Sequence, residues 1–112
     1  MKNFELGWVC GFLEGEACFS CYKYKLPRKD YTILIRAVQV DRKVLERLLR
    51  LTGVGKIRNN KIANSVSKQP QFEWRVSRRQ ELRSFLHKIR PHMSVRRRVK
   101  IDGMLKVLGP VA

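Results

Sequence analysis

Acidic side chains are scarce in this sequence. Nine Asp and Glu stand against 25 Lys and Arg, a formal net charge of +16 over 112 residues. Such an imbalance in a small chain points to a polyanionic partner. A merely soluble basic protein or a basic membrane-surface segment fits less well, because the charges are spread along the chain and not gathered in one tail. Long apolar runs are missing too. None reaches the roughly 18 residues of a membrane span, and the opening Met1-Lys2-Asn3-Phe4-Glu5 lacks the apolar core of a secretory signal. Cysteine is limited to Cys10, Cys18 and Cys21. Cys18 and Cys21 have CxxC spacing without a second pair, and the two histidines, His87 and His92, are distant in sequence, which argues against zinc. Core or strand cysteines in a reducing compartment are the better reading, with an intracellular, cytoplasmic location. The length suits one modest core, hence a single domain over residues 1–112. There is no internal repeat.

Glycine is also sparse, yet three of the seven fall in one stretch, Gly7-Trp8-Val9-Cys10-Gly11-Phe12-Leu13-Glu14-Gly15-Glu16-Ala17-Cys18-Phe19. Gly7, Gly11 and Gly15 recur every four residues and so lie along one side of a helix. Each costs helix stability, about 1 kcal/mol relative to Ala. Close approach by another backbone is the compensating gain, as in small-xxx-small helix pairs. Leu6, Val9, Cys10, Phe12 and Leu13 fill the gaps, so the helix is expected to be buried against another helix. It ends in Glu14 and Glu16, at the negative end of the macrodipole, where carboxylates require a compensating cation such as a divalent metal.

The first helix is expected from Asn3 or Phe4 to Gly15, with Asn3 as N-cap. Ala17 to Lys25 and Tyr31 to Val40 read as strands of a hairpin with a basic tip at Leu26-Pro27-Arg28-Lys29-Asp30. Asp41 caps a helix over Arg42 to Thr52 that Gly53 stops. A short strand over Lys56 to Asn59, a polar connection over Asn60 to Pro70, and an alternating strand over Gln71 to Ser77 follow. Ser77 and Gln80 fit a capping box for a helix carrying Leu82, Phe85, Leu86 and Ile89, closed by Pro91. A last helix, roughly Val95 to Leu108, shows Val95, Val99, Ile101, Leu105 and Leu108 as its apolar positions. The fold class is α+β: an α-β-β-α-β-β-α-α order, with helices covering one face of a four-stranded antiparallel sheet.

Val9-Cys10-Gly11-Phe12-Leu13-Glu14-Gly15-Glu16-Ala17 resembles the nine-residue LAGLIDADG motif of homing endonucleases, with Trp8 and Phe19 as flanking aromatics. The element order is similar to that family's core fold, so the resemblance covers nearly the whole chain. A single motif implies a homodimer whose motif helices pack together, with Gly7, Cys10, Gly11, Leu13 and Gly15 at the interface. The resemblance further implies that Glu16 binds the catalytic metal, Mg²⁺ with Ca²⁺ or Mn²⁺ as substitutes, and that the backbone carbonyl of Ala17 shares it. Glu14 is the runner-up ligand, with support of the helix end as its main role. Gln39 resembles the family's recurrent glutamine before the second helix, and Arg42 lies near the catalytic centre in the family arrangement. Arg96 takes the place of a basic residue, usually Lys, close to the scissile phosphate. Arg can stabilise phosphate charge but cannot act as a base. Arg97, Arg98 and Lys100 read as backbone clamps or solvated charges. Two departures stand out: Ala17 where the motif ends in Gly, and Arg96 for Lys.

The free face of the sheet is the expected DNA surface. Ser20, Tyr22 and Tyr24 on the first strand, Lys56 and Arg58 on the third, and Gln71, Glu73 and Arg75 on the fourth face outward if Phe72, Trp74 and Val76 face the helices. Arg28 and Lys29 at the hairpin tip, Asn60 and Lys61 in the polar connection, Gln39 and Arg96 complete the nucleic-acid-binding set. Arg, Gln and Asn are the side chains that read base edges, and the charge favours phosphate contact. The second strand has two open phases. If Gln39 faces DNA, Ile33, Ile35 and Ala37 share its side and Arg36 turns inward unless a bulge intervenes. The implied function is metal-dependent hydrolysis of both strands of a long, nearly palindromic double-stranded DNA site, with no small-molecule cofactor and no membrane partner. The alternatives are a non-cleaving relative, either a maturase-like RNA-splicing factor or a DNA-binding regulator, and a basic ribosome-associated protein.

Overall fold

The computed structural model describes residues 1–23, 27, 30–60 and 70–110. Their elements run α1 (Asn3–Glu16), β1 (Ala17–Lys23), β2 (Tyr31–Gln39), α2 (Arg42–Thr52), β3 (Lys56–Asn60), β4 (Gln71–Val76), α3 (Arg79–Ile89), a 3₁₀ turn (Arg90–His92) and α4 (Val95–Leu108). The strands form one antiparallel sheet in the order β1-β2-β4-β3. Alternation divides it into two faces. Phe19, Ile33, Ile35, Ala37, Trp74 and Val76 join one core with Val9, Leu13, Leu45, Leu48, Leu82, Leu86, Ile101 and Met104 of the four helices. The architecture is the expected α+β layer pair.

Local chemistry explains most boundaries. Asp41 accepts the backbone N–H of Lys43 and opens α2. Gly53, in the left-handed region at φ 67°, closes it by donating to the Leu49 carbonyl. Trp74 is fully buried, donates its indole N–H to the Val54 carbonyl and meets Phe85 edge-on. Gly55 (φ 88°) lies against it: an added Cβ would stand 2.6 Å from Trp74 Nε1. Arg83 on α3 is buried and donates to the carbonyls of Leu108 and Gly109, satisfying the negative end of α4.

Four expectations are corrected. The N-cap of α1 is Lys2, whose backbone N–H donates to Glu5, because Asn3 is already helical. The helix runs one residue past the expected Gly15 boundary and takes in Glu16 as its last residue. The Ser77–Gln80 capping box does not form, because α3 starts one residue later with Arg78 as N-cap. The third helical position is then Glu81, and its carboxylate accepts the N–H of Gly55 instead. Finally, Val95 and Val99 are exposed (each 68%), and α4 docks through Ile101, Met104 and Leu108.

Candidate metal and nucleic-acid site

Glu16 is the last residue of α1 and exposed, so its carboxylate stands at the seam between helix layer and sheet. The side chain of Gln39, the last residue of β2, donates to its Oε2 at 3.1 Å. Gln39 pairs across the sheet with Phe72, and the Arg42 guanidinium lies over the Phe72 ring at 5.3 Å while its Nε donates to Glu46. Glu16, Gln39 and Arg42 are therefore linked through successive neighbours.

The phase of β2 is settled by its register. Ile33, Ile35 and Ala37 are core residues, Arg36 pairs with Arg75 on the free face, and the ladder to β4 runs unbroken to Gln39. No bulge is present in β2. Gln39 is on the helix-facing side but at the strand end, where the core has run out and Glu16 is within reach.

The other carboxylate at this helix end is occupied. Glu14 accepts the Ser94 N–H (2.7 Å) and hydroxyl (3.0 Å), and Arg97 Nε at 3.3 Å. Burial pushes this carboxyl up, but the Ser94 groups and the Arg97 guanidinium outweigh it and hold it below the ordinary carboxylate value. Glu14 thus fastens the start of α4 to the end of α1. Arg97 Nη2 also donates to the carbonyls of Glu14 (3.0 Å) and Ala17 (3.1 Å), and its guanidinium lies 5.0 Å from the Phe19 ring centre. The Ala17 carbonyl is therefore held by a cation of its own chain. Arg97, read from sequence as a clamp on the DNA backbone or a solvated charge, is instead a brace within its own chain at the helix-to-strand junction. Arg96, its neighbour, is exposed and lines a shallow cleft with Phe19, Arg97 and Lys100. Among the described residues it makes no hydrogen bond or ion pair with Glu16.

The outer edge of α1 is open. Gly7, Gly11 and Gly15 are exposed, and a Cβ added at any of them meets nothing within 4 Å. Cys10 and Leu13, expected at the same interface, are corrected: they are 4% and 0% exposed and fill this chain's own core. Helical period puts them on the inner face, away from the glycines.

The free sheet face carries Cys18, Ser20 and Tyr22 from β1, Arg36 from β2, Lys56, Arg58 and Asn60 from β3, and Gln71, Glu73 and Arg75 from β4. Tyr24, Arg28, Lys29 and Lys61 lie outside the described residues. Arg36 is an addition to the expected set, hidden from sequence reasoning while the phase of its strand was open. Glu73 stands on this face but is 1% exposed, covered by arginines.

As a metal site the chain is partial. Among the described residues no group of three His, Cys, Asp or Glu could hold a metal ion. Mg²⁺, however, commonly takes one or two carboxylates together with waters and phosphate oxygens. One exposed glutamate per chain fits a site completed by a second acid and a phosphodiester.

The model of the LAGLIDADG endonuclease family matches residues 9–90, from the motif through the last residue before Pro91. The chain belongs to the LAGLIDADG endonuclease family. No curated protein sequence matches it. Among solved structures it is similar to the homing endonuclease I-CvuI in complex with the I-CreI target, in magnesium with the DNA not cleaved (17% identity, 95% of this chain and 66% of that one, TM-score 0.76). It is also similar to the archaeal intron-encoded homing endonuclease I-Vdi141I complexed with DNA (26% identity, 90% and 65%, TM-score 0.66). A third similar structure is the homing endonuclease I-TnaI (24% identity, 92% and 70%, TM-score 0.69). The chain spans about two thirds of the length of these LAGLIDADG proteins. No helix among its described residues is long and apolar enough to cross a membrane.

Proposed function

We propose that two copies of this LAGLIDADG chain pair through the Gly7, Gly11 and Gly15 edge and hydrolyse both strands of a long, nearly palindromic duplex DNA site with a divalent metal. The observation that carries this reading is the pairing of an open glycine edge with an exposed carboxylate at its end. A symmetric contact along α1 repeats the same patch on both copies and brings their two Glu16 residues near one axis.

Glu16 from each copy would hold Mg²⁺, which activates water and offsets developing phosphate charge when bound. Gln39 donates to the Glu16 carboxylate and so fixes its orientation. Arg97 fixes the backbone on both sides of Glu16 through Glu14 and Ala17. Arg96 adds positive charge beside the cleft and supplies electrostatic assistance without accepting a proton. The free sheet face contributes base-edge donors and acceptors to the major groove.

The experiment is a cleavage assay on a randomised duplex library in Mg²⁺, with Glu16→Gln alongside, and the solution mass measured by light scattering. A dimer that cuts, and a folded Glu16→Gln protein that binds without cutting, are the expected results. A monomer, or cutting that survives Glu16→Gln, overturns the proposal. A second reading, a non-cleaving nucleic-acid-binding relative, draws support from the Ala17 carbonyl, which is already engaged by Arg97. Selective binding in Ca²⁺ with no cutting in Mg²⁺ would establish it.

A further inference from the structure

Glu73 is the one acid on the free sheet face among the described residues, and it is almost completely buried. Its Oε1 accepts Arg58 Nε (2.8 Å) and Arg75 Nε (2.9 Å), and its Oε2 accepts Arg75 Nη2 (3.3 Å) and forms an ion pair with Arg36 Nε (2.9 Å). Three guanidiniums from β2, β3 and β4 thus converge on a carboxylate lying at the base of the cationic surface.

The register shows why an acid is needed here. Arg36 is directly opposite Arg75, and Arg75 directly opposite Lys56, so three cations stand in one row across neighbouring strands. Like charges in such positions repel. Glu73 sits between Val38 and Arg58 in the next row, diagonal to Arg36. An acid at the rim of this face would subtract from attraction to phosphate. Buried beneath the arginines, it is screened from the duplex by the groups it organises. The Nε is the nitrogen nearest the stem, so the contacts with Arg36 and Arg58 leave the terminal nitrogens of those forks unconsumed by the carboxylate. Arg58 is 60% exposed at its side chain and Arg36 37%. These are anchored donors on the free face of the sheet, and a guanidinium fork is matched to O6 and N7 of guanine.

We propose that Glu73 is a specificity-determining positioning residue: a covered carboxylate that fixes Arg36, Arg58 and Arg75 in one arrangement, so that the trio selects guanines in the segment of the site beneath β2, β4 and β3. This rests on the reading of the chain as a duplex-DNA-binding protein. It predicts an effect of opposite sign to simple charge. Removing a negative group from a DNA-facing surface raises attraction to any duplex. Loosening three readers lowers discrimination between duplexes.

The test uses the full chain, a duplex selected from a random library by the wild-type protein, and an unrelated duplex of equal length, with Ca²⁺ present and KCl varied. For Glu73→Gln the expected result is unchanged or tighter binding to the unrelated duplex. The selected duplex loses affinity, and the ratio of the two affinities falls about tenfold or more. Reselection should show relaxed guanine preference at adjacent positions. Arg58→Lys, at an exposed side chain that tolerates change, keeps the charge and should relax one of those positions alone. A merely structural role predicts that both affinities fall together with the melting temperature, which overturns the proposal, as does an unchanged ratio or an absence of guanines from the affected positions. Should Glu73→Gln not fold, Arg58→Lys decides: no relaxation at any guanine overturns it. A wild-type chain that selects no duplex defeats the DNA-binding reading itself, whereas selection that survives Glu73→Gln and Arg58→Lys defeats only this inference.

Discussion

Arg97 donates from Nη2 to the carbonyl of Ala17 at 3.1 Å, the first residue of the sheet. The same nitrogen reaches the Glu14 carbonyl, so one guanidinium spans the helix-to-strand junction that carries Glu16. Replacing Arg97 by Met removes these bonds and leaves Glu14 without its cation. We expect a loss of about 1–3 kcal/mol in unfolding free energy, the usual range when a partly buried polar group loses its partner. Urea denaturation followed by circular dichroism measures it. Cleavage should fall further than stability alone accounts for, because the orientation of Glu16 loosens.

Acid should weaken the molecule through two carboxylates. Burial raises the carboxyl of Glu14, but Ser94 and Arg97 outweigh it; burial raises that of Glu73, but its arginines outweigh it; both end below the ordinary value. A group whose pKa is depressed by folding contributes stability above its unfolded pKa and loses it as pH falls through the folded one. The urea midpoint should therefore stay flat above about pH 5 and drop on further acidification, starting near the free glutamate value of about 4.3. Glu14→Gln should be less stable at neutral pH and show a shallower decline. An equally steep decline in that variant would remove Glu14 from the explanation.

Gly11→Leu separates pairing from folding. Nothing lies within 4 Å of a Cβ at this position, and Leu is a better helix former by nearly 1 kcal/mol. The single chain should be as stable or slightly more stable. Close helix approach should be blocked, with a monomer mass in light scattering and loss of double-strand cutting. A Gly11→Leu protein that remains dimeric would move the interface elsewhere.

Gly55→Ala should act in the opposite way. The left-handed backbone and the 2.6 Å approach to Trp74 Nε1 leave no space for a methyl group. The expected cost is about 1–3 kcal/mol from backbone strain, with further loss where the Trp74 bond to Val54 is disturbed. Thermal melting and a shift in tryptophan emission report it, although the second tryptophan, Trp8, has to be replaced by Phe to isolate the signal.

Much of this was legible in the residues, and the gaps have physical causes. Asp41 and Gly53 delimited α2 because caps are local signals. Alternation oriented β1 and β4, since each presents one apolar and one polar face. It failed on β2, a central strand with Ile33, Leu34 and Ile35 all buried, where only pairing with the flanking strands β1 and β4 sets the phase. The apolar stripe of α4 was misread because Val95 and Val99 face outward while Met104 faces in. Which of Arg96, Arg97 and Arg98 turns towards α1 is decided by the position of Glu14, 83 residues before Arg97. The covering of Glu73 likewise depends on arginines brought together from three strands.

The division of each strand into a core side and a free side has an evolutionary corollary. Substitutions at Ser20, Lys56, Asn60 or Gln71 touch no interior packing, so drift there carries little folding penalty. If this face reads duplex DNA as proposed, changes there would alter the site that is read while the interior stays constant. Under the inference drawn above, Glu73 would be the exception, a buried residue at which one change loosens several arginines together.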